Sequence, residues 1–158
     1  MSGDWIIIAV IILVIGGFTG FIFWKNSGPP PTNRELALSC TTDMATQFHI
    51  HPHLEIKIDE KKQEIVSNIG VVDGCMNPLH THDNTGEIHV ESPEQRDFTL
   101  GDFFAVWAKP FNKNEILDSK ADAKHIIEET VNGKVVQDYE NTILKDGDQI
   151  VISYKVNK

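Results

Sequence analysis

The chain has 158 residues, a formal net charge of −9, seven histidines and two cysteines. The acidic balance argues against nucleic acid and anionic membrane surfaces as partners, because both are bound by clustered Lys and Arg. Two cysteines are too few for a zinc knot built on four thiolates.

From Trp5 to Trp24 the chain carries no charged side chain, and Lys25 closes the run. At 1.5 Å per residue, a helix of that length crosses a hydrocarbon core of roughly 30 Å. The two tryptophans stand where interfacial anchors belong. The apolar run is too long for the core of a signal peptide, and no A-x-A site follows it. Residues 1–25 are therefore predicted to be one transmembrane anchor in the lipid bilayer. Gly16 and Gly20 form a G-x-x-x-G pair within it. That spacing lets a second helix approach closely, so the anchor could dock on a membrane protein complex. "NSGPPPTN" opens a proline-rich linker, residues 26–34, and the soluble domain is expected over 35–158.

Residues 48–58 alternate strictly. Phe48, Ile50, Leu54, Ile56 and Ile58 fall on one face of a predicted strand, and His49, His51 and His53 fall on the other. Pro52 removes a ladder donor and suggests an edge or a bulge. "DEKK" turns the chain and "QEIV" returns as a second strand. "LHTHD" repeats the His-x-His spacing at His80 and His82, and "GEIHVES" places His89 and Glu91 on a third strand. "TLGDFFAVWAKPF" reads as a short helix, with Thr99 as N-cap and Asp102 closing a capping box. Its Leu100, Phe103, Phe104 and Trp107 are core residues. "HIIEETVNGKVVQ" is a hairpin about Asn132-Gly133, and "LKDGDQIVISY" is a turn and a last strand. The sum is an α+β domain, a mainly antiparallel sheet with one packed helix. Its closing half resembles the end of a ubiquitin-like β-grasp domain.

Six histidines in three strand-like stretches point to a transition-metal site: His49, His51, His53, His80, His82 and His89. Neutral imidazole is the commonest protein ligand for copper, zinc and non-haem iron. Asp83, Glu87 and Glu91 are candidate oxygen ligands, or acceptors that fix the ring tautomers. Histidine dominance favours copper, with zinc or iron as alternatives, and Met76 would suit copper. Six histidines exceed one site and imply a second. His125 is isolated and is assigned no role.

Cys40 and Cys75 flank the cluster. Outside the membrane they would form a disulfide; the alternative is Cys75 as a thiolate ligand. Lys25 and Arg34 after the apolar run lean toward a cytoplasmic domain. The cysteines and histidines favour the extracytoplasmic side, and that is the reading adopted.

"GCMNPLHTHDNTGE" matches most of the first cupin motif through Gly74, His80, His82 and Glu87. Glu94 stands where that motif closes on Gly, and the second motif is missing. The series H-I-H-x-H-L, C-x-x-x-L-H-T-H-D, G-x-I-H-x-E-S and T-L-G-x-F-F-x-x-W, in this order, resembles a family of small His-rich domains of archaea and actinobacteria, often membrane-anchored or secreted. The resemblance implies that the three histidine stretches form one site and that Cys40 pairs with Cys75. It supplies no mechanism. The function expected from the sequence is metal storage, delivery or sensing at a membrane. A small metal-dependent oxidoreductase and a structural accessory subunit are the alternatives.

Overall fold

The computed structural model describes residues 28–42 and 46–157. The expected anchor, with Gly16 and Gly20, lies outside the described residues. Among those described, no helix is long and apolar enough to cross a membrane.

The described elements run α1 (Asn33–Ala37), β1 (Phe48–Ile50), β2 (His53–Ile58), β3 (Lys61–Gln63), β4 (Val71–Val72), β5 (Cys75–Met76), β6 (Leu79–His80), β7 (His89–Ser92), α2 (Leu100–Val106), β8 (Phe111–Asn112), β9 (Glu115–Ile116), β10 (Ser119–Lys120), β11 (His125–Val131), β12 (Lys134–Val136), a short 3-10 helix (Tyr139–Asn141) and β13 (Gln149–Val156). The domain is α+β, with mostly antiparallel sheets and one main helix. Helix α1 was not foreseen. It starts inside the expected linker because Thr32 and Glu35 form a capping box, with Thr32 N donating to Glu35 Oε2 at 2.8 Å. The Thr99 and Asp102 box at α2 forms as expected.

The largest sheet has the order β12-β11-β13-β2-β3. Its central pair, β13 and β2, is parallel, with Leu54 opposite Ile150 and Ile56 opposite Ile152. These four side chains are fully buried and join Phe98, Phe103 and Phe104 of the α2 region in one core. The return after β2 comes two residues earlier than the sequence suggested, at Lys61–Gln63. Asp59 and Glu60 both take positive φ, which allows so tight a turn. Asn132 and Gly133 do the same between β11 and β12, as their sequence predicts.

The alternating run 48–58 is not one strand. Pro52 ends β1, and the chain passes into a different sheet at His53. The break is held by backbone groups: Ile88 N donates to Pro52 O at 2.9 Å, and His53 N to Asp148 O at 2.8 Å. Strand β1 instead joins a three-stranded sheet of order β1-β7-β6.

One buried carboxyl stands apart from this logic. Glu129 on β11 is fully buried opposite Ile152, and among the described residues neither carboxylate oxygen has a hydrogen-bond partner. Burial pushes its pKa up; the nearby Thr142 hydroxyl and Tyr139 amide oppose this without closing a bond. A raised folded-state pKa stabilises the fold fully below the usual glutamate range and loses that contribution as pH rises through the folded value. Glu129→Gln is therefore expected to unfold at higher temperature than the parent at pH 8, by about 1–3 kcal/mol of stability. The gap should close near pH 4. Thermal unfolding followed by circular dichroism across that range checks it, and a constant gap would show that ionisation is not the cause.

Candidate metal centre

The small sheet builds the site through its register. His80 lies directly opposite His89, and His49 directly opposite Glu91. His89 and Glu91 are two apart on β7, so they share a face. Their cross-strand partners His49 and His80 project from the same face. The other face carries Ile50, Val90 and Leu79, all buried in the core. Hydrophobic burial on one side thus forces the histidines together on the other.

Among the described residues two groups of three result: His49, His51 and His89, and His80, His82 and His89. Within each, one ring nitrogen per residue lies within 4.8 Å of the others. His80 Nε2 is 3.2 Å from His82 Nε2, and His49 Nε2 is 3.3 Å from His89 Nδ1. Two ligands on a tetrahedral ion with metal–nitrogen bonds of about 2.0–2.1 Å are roughly 3.3 Å apart. The nitrogens already stand near that spacing.

The surroundings orient the rings. His80 is fully buried, and its Nδ1 lies 3.0 Å from the Asn77 carbonyl oxygen. A carbonyl only accepts, so Nδ1 carries the proton and Nε2 turns its lone pair toward His82. Burial lowers the pKa of His80, opposed by the Asn77 bond; burial, then the neighbouring His82 and His51, lowers that of His89. Both rings are therefore neutral and ready to ligate at neutral pH. Glu91 Oε1 is 3.1 Å from His49 Nε2, and Glu87 Oε1 is 3.4 Å from His89 Nε2.

The sixth expected ligand does not join either group. His53 lies beyond the Pro52 break, and its Nε2 donates to the Thr85 carbonyl at 3.0 Å. The loop it holds has little room: a Cβ on Gly86 would lie 2.3 Å from Leu54 O, and Gly86 has φ +97°. Asp83 serves that loop as well. Its Oδ1 accepts from Thr85 N at 2.9 Å and Thr85 Oγ1 at 2.6 Å, bonds that hold its carboxyl below the usual range. His125 stacks on Tyr154 and pairs with Asp122, 3.0 Å away.

Two contributors were missed from the sequence. Asn77 has a local signal, three residues before His80. Asp146 has none: its Oδ1 accepts from His51 N at 2.9 Å and lies 3.9 Å from His51 Nδ1, across 95 residues of chain.

Cys40 and Cys75 form a disulfide, with Cα atoms 5.5 Å apart. Cys75 is thereby removed as a thiolate ligand. Thr41 and Met76 exchange two backbone hydrogen bonds of 2.9 Å beside it, which places Met76 in the disulfide-bonded hairpin. Taken together, the histidine groups can hold a metal ion through nitrogen donors. No family model, no curated protein and no solved structure matches this chain.

Proposed function

We propose that this protein binds copper at the two histidine groups, as a store, carrier or sensor anchored to a membrane with the domain on the extracytoplasmic side. The observation that carries the metal reading is the convergence of five imidazoles into two sets of nitrogens near ligand spacing. Copper is favoured because the donors are imidazole nitrogens, with the cysteines tied up in a disulfide, and Cu(II) heads the affinity order for nitrogen sites. The disulfide supports an oxidising compartment. The apolar run Trp5–Trp24 supports the anchor, and the sheet order with its parallel central pair supports a β-grasp-like frame.

The test is a titration of the full chain in detergent with Cu(II) and Zn(II) against a competing chelator. A second protein carries His51→Ala and His82→Ala, which removes one ligand from each group at positions outside the core. Stoichiometric binding, tighter for Cu(II) and lost in the double variant, is the expected result. Tighter zinc binding would overturn copper, and no binding below micromolar ion would overturn the metal reading.

A further inference from the structure

The two groups share His89. We propose that they hold two ions at once and that the His89 ring bridges them. Its Nδ1 ligates the ion held by His49 and His51, and its Nε2 the ion held by His80 and His82. The inference rests on the metal reading above and adds the number of ions and their linkage.

Three observations carry it. First, the five histidines fall into two sets of nitrogens rather than one. Second, His89 stands between the sets. His51 meets its ring edge-on at 4.7 Å and 87°, and His82 meets it at 4.5 Å and 71°. Third, the two ring nitrogens of an imidazole point well apart in the ring plane, so one ring cannot aim both at a single ion. His89 Nδ1 is the nitrogen 3.3 Å from His49 Nε2, which leaves Nε2 for the other set. That Nε2 lies 3.4 Å from Glu87 Oε1. In the bridged state that carboxylate balances ion charge, as does Glu91 beside His49. When the second ion binds, the one N–H proton of the His89 ring passes to solvent. No electron moves.

An imidazolate between two Cu(II) ions couples their unpaired spins, and this is directly readable. The full chain is titrated with Cu(II) and followed by electron paramagnetic resonance at liquid-helium temperature. The first equivalent is expected to raise a signal and the second to extinguish it. The signal should return as the sample is warmed, which reduction to Cu(I) would not give. A variant with His49→Ala and His51→Ala should keep the signal of a single ion. Two bound ions with twice the signal would show independent sites and overturn the bridge. Binding of only one ion would show that the sets compete for His89, and would also overturn it. Binding of none would fail the metal reading itself.

Discussion

Replacing His89 with alanine is expected to abolish tight Cu(II) binding at both histidine groups, whereas His53→Ala should leave it unchanged. Both residues sit in alternating, strand-like stretches of the sequence, so the contrast tests the tertiary arrangement directly. His89 is the one residue common to both groups, and it lies opposite His80 in the sheet register. Loss of a residue that merely orients a ligand costs 10- to 100-fold in affinity. Loss of the shared ligand should therefore cost roughly a hundredfold or more at each group. His53 is instead bonded to the Thr85 carbonyl beyond the Pro52 break. Its removal loosens the Gly86 loop but takes no nitrogen from either group. Competition titrations with a chelator, with circular dichroism to confirm folding, decide the matter. Equal losses in the two variants would return His53 to the site and overturn the assignment of two groups around His89.

Removal of the disulfide is the second large effect. Replacing both Cys40 and Cys75 with serine should destabilise the domain by about 3–4 kcal/mol in the loop-entropy account, given a separation of 35 residues. The consequence reaches the site. Cys75 is two residues before Asn77, whose carbonyl sets the tautomer of His80 and whose side chain donates to Ala37 O at 2.9 Å. A looser β5 therefore weakens the orientation of His80 as well as the fold. Chemical denaturation of the oxidised, reduced and double-serine forms measures the first effect, and Cu(II) affinity of the same three forms measures the second. If the double-serine protein matches the oxidised parent in both, the bridge has no structural role in this domain.

Much of the site was legible because its residues sit in short stretches of period two. Alternation placed His49, His80 and His89 on polar strand faces. The capping residues Thr99 and Asp102, and the Asn132-Gly133 turn, were equally local signals and formed where the residues indicated. Helix α1 escaped notice because it is only five residues long and follows three prolines. The long alternating run misled for a related reason. Period two is preserved across Pro52, so the pattern cannot show that the chain changes sheets there. The central parallel pair of β2 and β13 was invisible too, since it joins residues 96 positions apart, as in Gln149 opposite His53, and leaves no local mark.

By itself, then, the sequence determined the residue chemistry: apolar alternation that builds sheets, imidazoles that ligate metals, and two cysteines available to pair. The tertiary structure alone decided which imidazoles meet. That choice rests on strand register, with Ile50, Val90 and Leu79 buried on one face and His49, His89 and His80 turned to the other. Register is set by the sum of long-range apolar contacts, and a slip of one residue would send each histidine of that strand to the opposite face.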